Sequence, residues 1–243
     1  MFSLSSVFVG LLCVATASAQ LITGAFTCEA AGEYTLCQNL WGAAAGVGGQ
    51  NSTLISTSGN EVSWMTNWTW ANGPNNVKSY ANVESSTVKG AQLSNITSVP
   101  TAWNWTYATK SSDIRADVSY DIWLGTTPDG TPATTASSYE IMIWLSGLGG
   151  IQPVGSVNTS GIQIGGHNWT LWSGPNANWE VFSFVSADGD ITSFTSDLND
   201  FFEYLVANQG VSTSQFLQAI QTGTEPFVGS ADLIIESFSV SLS

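Results

Sequence analysis

The chain has 243 residues, with 18 Asp and Glu against 4 Lys and Arg, and its net charge of −14 argues against phosphate backbones and anionic membrane surfaces as partners. Eleven Trp in a sequence with only 9% charged residues supply flat apolar platforms of the kind that hold sugar rings, although most Trp in any domain are core. Two cysteines in the mature chain and a single His support no metal site, and no cofactor is expected.

Residues 1–19 read as a secretory signal: an apolar run over 7–15 is followed by Ala17-Ser18-Ala19, with cleavage before Gln20, although the basic start of such a segment is missing. The run is too short to span a membrane. Residues 20–243 show no repeat and no linker, so they are expected to form one extracellular β-rich domain. Cys13 leaves with the signal, and Cys28 and Cys37 are expected to pair, a short closure of about 2.5 to 3 kcal/mol in the chain-entropy model. Six Asn-x-Ser/Thr sequons, at Asn51, Asn67, Asn95, Asn104, Asn158 and Asn168, fit a secreted glycoprotein; Asn67 and Asn168 suit a glycan least because they fall in Trp-rich strand patterns.

Residues 42–49 read as a small-residue loop. Strands follow at 62–70 and 77–84 with a turn over 71–75, the first placing Val62, Trp64, Thr66 and Trp68 on one face. Residues 93–107 carry the cluster Trp103, Trp105 and Tyr107, interrupted by Pro100. Residues 115–124 alternate, which sets Asp121 with Asp117, Ser119 and Trp123 on a solvent or cleft face. After a turn at 126–130 comes the strand 138–145. Its residues Tyr139, Ile141, Ile143 and Leu145 face a core, while Glu140, Met142 and Trp144 share the other side. A carboxylate between a thioether and an indole suits a groove for a sugar ring, and an ion pair for Glu140 is short of partners in a chain with 4 Lys and Arg. These two strands are expected to form a long antiparallel hairpin with their polar faces on the same side.

Further strands are expected at 162–164, 167–172 and 179–185. Over 196–206 the apolar residues Leu198, Phe201, Phe202, Leu205 and Val206 take helical spacing, with Thr195 or Ser196 as cap and an end at 208–210. Glu225 sits between Gly223 and Pro226, and a last strand covers 233–242. Many short strands with one helix point to a β-sandwich with one face bent into a groove. His167 is read as structural, and no nucleophile turn supports a Ser-His-Asp hydrolase.

Hydrolysis of a glycosidic bond with retention needs two carboxyl groups about 5 to 5.5 Å apart, and Glu140 and Glu225 are the candidates. The chain resembles glycoside hydrolase family 12, the secreted endo-β-1,4-glucanases and xyloglucanases. The likeness lies in Asn39-Leu40-Trp41-Gly42, Gly73-Pro74-Asn75-Asn76-Val77-Lys78-Ser79-Tyr80, Ser119-Tyr120-Asp121-Ile122, Tyr139-Glu140-Ile141-Met142-Ile143-Trp144-Leu145, Phe182-Ser183-Phe184-Val185, Phe201-Phe202-Glu203-Tyr204-Leu205 and Gly223-Thr224-Glu225-Pro226-Phe227-Val228-Gly229-Ser230. The resemblance implies an all-β jelly roll of two antiparallel sheets, with an open groove on the concave sheet and one helix on the convex side. It implies Glu140 as nucleophile, Glu225 as acid/base, Asp121 as assisting carboxylate, Trp41 as a sugar platform two units toward the non-reducing side, and Asn39 as its hydrogen-bonding neighbour. Met142, Trp144 and Phe227 are counted with the substrate-binding residues. The partner implied is a β-1,4-linked glucan bound by a monomer. A non-catalytic, lectin-like jelly roll is the alternative, and it would not need two glutamates in this context plus Asp121. Two departures accompany the resemblance: Cys28 and Cys37 lie closer together than the paired cysteines of some relatives, and His167 stands where a neutral amide is expected.

Overall fold

The computed structural model describes residues 20–243, and the expected signal at 1–19 lies outside the described residues. The described residues form fifteen strands, most of them on period-two apolar patterns. In chain order they are β1 (Gln20–Ile22), β2 (Cys28–Ala31), β3 (Tyr34–Cys37), β4 (Val47–Ser58), β5 (Glu61–Ala71), β6 (Ala81–Ser85), β7 (Pro100–Lys110) and β8 (Arg115–Gly125). The second half supplies β9 (Ser137–Leu148), β10 (Ser156–Ile164), β11 (His167–Asn176), β12 (Trp179–Ser186), β13 (Ser193–Asp197), β14 (Phe216–Thr224) and β15 (Pro226–Val240), with the helix α1 (Asn199–Gln209) between β13 and β14.

The strands form two sheets. The outer one runs β1-β4-β5-β15-β7-β13 and the inner one β2-β3-β6-β14-β8-β9-β12-β11-β10, with every pair antiparallel except β9 and β12. The start of β15 still pairs with β8 of the inner sheet before the strand crosses into the outer one. Large side chains fill the space between the sheets. Trp103 of β7 and Phe238 of β15 meet Tyr120 of β8 with ring centroids 4.9 and 6.1 Å apart, and the Tyr120 hydroxyl lies 2.9 Å from that of Thr101. Helix α1 packs Phe201 on Phe184 and Trp169, the core-facing side of β12 and β11, so it lies on the side of the inner sheet away from the polar face of β8. This is the jelly roll expected, with α1 on the convex side.

The hairpin of β8 and β9 is present, with Trp123 opposite Glu140 and Asp121 opposite Met142. Cys28 and Cys37 face each other across β2 and β3 and are joined by a disulfide. Elsewhere tertiary structure overrides local pattern. Residues 42–49 are not simply a loop: a short 3-10 turn, Ala43–Ala45, leads into β4, whose Gly, Ser and Thr residues hide its strand character. Glycine is required at Gly48, because a side chain there would overlap the Thr69 carbonyl of β5. Strand β5 and the shorter β6 do not share a hairpin, since β5 lies between β4 and β15 and β6 between β3 and β14. The buried Lys78 anchors the crossing segment. Its ammonium donates to the carbonyls of Gly73, Asn76 and Phe227. The helix begins at Asn199, not at 196, because 193–197 is drawn into pairing with β7. Asp197, rather than Thr195 or Ser196, accepts the Asn199 N–H at 2.9 Å.

Candidate active site

The polar face of β8 sets the floor of the site. Because side chains alternate, the positions that put Tyr120, Ile122 and Leu124 into the core put Asp117, Ser119, Asp121 and Trp123 on the concave face. Register with β9 sets Glu140 opposite Trp123, and register with β14 sets Gln221 opposite Asp121. Glu225 is the single residue between β14 and β15, followed by a proline that cannot donate to a ladder. Asp117, with no exposed surface, holds it there: its Oδ1 accepts the Glu225 N–H at 2.6 Å, its own N–H donates to the Glu225 carbonyl at 3.3 Å, and its carbonyl accepts the Thr224 hydroxyl at 2.6 Å.

These elements enclose a cavity of about 450 Å3. Asp121, Glu140 and Glu225 are its carboxyls, Asn39, Asn176 and Gln221 its amides, and Trp41, Tyr80, Trp123 and Trp179 its rings. Trp41 is 56% exposed, an indole face presented to solvent at the rim instead of to the core. Asn39, at φ 47°, is held by the Tyr80 N–H to its carbonyl at 3.0 Å. A depression of about 490 Å3 on the outer sheet is of similar size, but its lining has one carboxylate, Asp232, and its only aromatic ring, Trp68, is buried.

Among the described residues no cation balances the carboxyls. Lys78 is spent on carbonyls, Lys89 pairs with Glu84, Lys110 lies over the Tyr107 ring, and Arg115 donates to Pro74, Gly149 and Asn75. Burial therefore raises every pKa in the cluster. Glu140 is raised by burial, opposed by the Trp179 indole N–H 2.6 Å from its Oε2 and by the Asn176 amide. Asp121 goes well above the usual carboxylate range through burial and then the Glu140 charge, and its Oδ1 has no hydrogen-bond partner. Glu225 is also raised well above it, by burial and then by Asp117, Asp121 and Glu140. Asp117 is pushed up to about 7 by burial, against the Glu225 N–H and the Ser119 hydroxyl.

One consequence concerns stability. The unfolded chain releases the Asp117 proton near pH 4, while the folded one keeps it toward pH 7, and Asp121 and Glu225 are shifted in the same direction, so the folded state binds more protons in that window and stability falls as pH rises through it. Melting temperature measured from pH 4 to pH 7 is expected to fall, and Asp117→Asn, which keeps an acceptor for the Glu225 N–H, is expected to flatten the fall. A melting temperature that rises steadily across the window would contradict the assignment.

Comparison with known proteins bears on the whole arrangement. A family model described as Glycosyl hydrolase family 12 matches residues 32–243. The chain belongs to glycosyl hydrolase family 12. It is 45% identical over 222 residues to the xyloglucan-specific endo-beta-1,4-glucanase A of Aspergillus aculeatus, covering 90% of each chain. The family 12 fold recurs in the catalytic domain of Humicola grisea Cel12A, solved in complex with a soaked thio cellotetraose, at a TM-score of 0.86 and 36% identity over 92% of this chain and 99% of that one. Trichoderma harzianum endoglucanase 3 gives 0.85 and 36% over 94% of this chain and 100% of that one.

Of the residues expected in the family 12 site, the structure brings Glu140, Glu225, Asp121, Asn39 and Trp41 to one cavity. Met142, Trp144 and Phe227, expected among the substrate-binding residues, do not line it. They are buried with Ile151 in a small apolar cluster, because residue 151, in the connection between β9 and β10, folds over the concave-face positions that follow Glu140. Sequence reading passed over Asp117, Tyr80, Trp123, Asn176, Trp179 and Gln221 as site residues. For Asp117 and Trp123 the signal was present, since they share the strand face of Asp121. Tyr80 ends a stretch that carries the family resemblance, and for Asn176, Trp179 and Gln221 there was no signal, because they arrive from strands and turns remote in sequence.

Proposed function

We propose that the protein is a secreted endo-β-1,4-glucan hydrolase that cleaves internal bonds with retention, and that xyloglucan is its preferred polymer. The observation that carries the reading is the meeting of Glu140 and Glu225 in one cavity beside an exposed Trp41, in a chain of glycosyl hydrolase family 12. Glu140 attacks the anomeric carbon while Glu225 gives its proton to the departing oxygen, so the glycosidic C–O bond breaks as a glycosyl ester forms. Water then attacks the same carbon, gives its proton to Glu225, and returns the bonding electrons to the Glu140 carboxylate. The raised pKa of Glu225 supports its role as acid, and loss of the Glu140 charge in the ester lowers that pKa so that Glu225 next acts as base. Asp121, kept neutral by burial, lines the same cavity without setting a second negative charge against Glu140. A non-catalytic sugar binder has no use for a cluster of buried carboxyls that destabilises the fold at neutral pH.

The preference for xyloglucan rests on the name borne by the relative at 45% identity. Secretion rests on the segment 1–19, and residues 20–243 form the one catalytic domain, acting as a monomer. Reducing ends and viscosity measured side by side on xyloglucan, mixed-linkage β-glucan and carboxymethylcellulose test the reading. Xyloglucan is expected to give the highest rate with an early fall in viscosity, and no release from any of the three would overturn it.

Trp41 offers a separate check. With its ring half exposed at the rim, Trp41→Ala is expected to weaken oligosaccharide binding by about 1 to 3 kcal/mol and leave melting temperature nearly unchanged. Calorimetry on binding and unfolding measures both, and a large loss of stability with unchanged affinity would assign the ring to packing.

A further inference from the structure

Glu140 has to carry a negative charge in a cavity without a cation. The titratable groups that interact with it are Asp121 on β8 and Glu225 at the β14–β15 junction, and those that act on these two in turn are Asp117 on β8, Glu84 on β6 and the Tyr80 phenol before β6; none of them is positive. The group that does meet the carboxylate is an indole: Trp179 Nε1–H donates to Glu140 Oε2 at 2.6 Å, a short bond, and a hydrogen bond to an ionised acceptor is stronger than one to a neutral acceptor. An indole N–H can only donate, so it always favours an acceptor oxygen at that place.

The ring is held on every side that matters. Its edge meets Trp123 at 5.2 Å, and β12 runs parallel to β9 so that Val181 is the register partner of Glu140. Asn176 and Trp179 close the β11–β12 turn, and the Asn178 amide in that turn donates to the Ser137 carbonyl at 3.1 Å, tying it to the start of the strand that bears Glu140. Within the turn Ala177 takes φ 50°, a conformation that a residue with a Cβ rarely adopts and that persists where surrounding structure enforces it. Ala133 and Asn39, also at positive φ, line the same cavity.

We propose that Trp179 is a positioning residue for the reaction, its indole N–H fixing the Glu140 carboxylate so that Oε1 is the oxygen that attacks. This rests on Glu140 being the nucleophile. In the glycosyl ester Oε2 becomes the carbonyl oxygen and keeps the N–H. When water breaks the C–Oε1 bond, the electron pair returns to the carboxylate and the same N–H receives the growing charge, so the second step gains most from it.

Trp179→Phe keeps a ring against Trp123 and removes only the donor. On an aryl glycoside with an activated leaving group, kcat is expected to fall on the order of 10-fold with KM falling alongside, because the ester accumulates. The acidic limb of kcat/KM is expected to move up by about one pH unit, since the ionised form of free Glu140 loses its donor. A limb that stays in place, with only the melting temperature lowered, would reduce Trp179 to packing. If the variant does not fold, 15N-indole NMR of the unmodified protein decides: one indole N–H resonance should follow the Glu140 titration and lose that pH dependence in Glu140→Gln, and no such resonance would overturn the proposal. Labelling with a 2-deoxy-2-fluoro glycoside and peptide mapping separates the two readings. A label on Glu140 upholds the nucleophile whatever Trp179 does, and a label elsewhere removes the nucleophile role and this proposal with it.

Discussion

Glu140→Gln is expected to remain folded, to bind oligosaccharide and to lose roughly three or more orders of magnitude in kcat. The amide occupies the volume of the carboxylate and can still accept the Trp179 N–H, so the geometry of the cavity survives. What disappears is the ability to form a glycosyl ester. An amide oxygen is too weak a nucleophile, and no other carboxylate is placed to take over: Asp121 is held neutral beside it by burial and Glu225 is needed as the acid. Rates on xyloglucan, together with oligosaccharide titration of the variant, measure both halves of the expectation. The stereochemistry gives an independent reading, because two displacements at one carbon preserve configuration. Proton NMR of the unmodified enzyme in action should show the β-anomer first. An α-anomer as initial product, or near-normal turnover by a folded Glu140→Gln, would remove the nucleophile role.

Glu225→Gln is expected to separate substrates by leaving group. On polysaccharide, whose departing oxygen needs a proton, the loss should be about 10²- to 10⁴-fold, the usual contribution of a positioned acid or base. On an aryl glycoside with an activated leaving group the first step needs no acid, so the ester forms normally and its hydrolysis becomes slow for want of a base. A small anion such as azide needs no base and should restore turnover, with a β-glycosyl azide as product. The pH profile carries the sign. The proposed mechanism requires Glu140 ionised and Glu225 protonated, so the rate is expected to rise through the Glu140 ionisation and to fall through that of Glu225, whose pKa is held up by burial and by Asp117, Asp121 and Glu140. The polymer is neutral, so the alkaline fall belongs to the enzyme, and in Glu225→Gln it should vanish. The acidic rise belongs to Glu140 coupled with Asp121, not to either group alone. An alkaline limb unchanged in Glu225→Gln, or no rescue by azide, would take the acid/base role from this residue.

Local chemistry explains why so much of this molecule is legible in its sequence. Alternation along 115–124 and 138–145 decides which residues enter the core, and a strand has only two faces, so Asp121 and Glu140 had to share the side opposite Tyr120 and Ile141. The stripe Leu198, Phe201, Phe202 and Leu205 likewise specified a helix and its buried face before any partner was known. Glu225 was marked by its place between Gly223 and Pro226, where a ladder cannot continue, and Cys28 and Cys37 had only each other to pair with once Cys13 was set aside.

Tertiary structure decided the rest, for reasons that pattern does not contain. Burial depends on what a distant segment does: Met142 and Trp144 share a strand face with Glu140, yet Ile151 and Phe227 cover them and leave Glu140 at the cavity. Strand β4 forms although its Gly, Ser and Thr show no alternation, because β5 beside it supplies a ladder and needs only Gly48 for close approach. The charge state of the site is likewise a property of assembly. A carboxyl such as Glu225 becomes a tuned group only when it is buried, when Asp117, Asp121 and Glu140 close in on it and when every lysine and arginine is committed elsewhere. The sequence by itself determined the faces of the strands and the two glutamates; which groups surround those glutamates, and therefore how they titrate, was decided by the pairing of β14 with β8, of β6 with β14 and of β12 with β9, through desolvation and charge interactions that act across space and not along the chain.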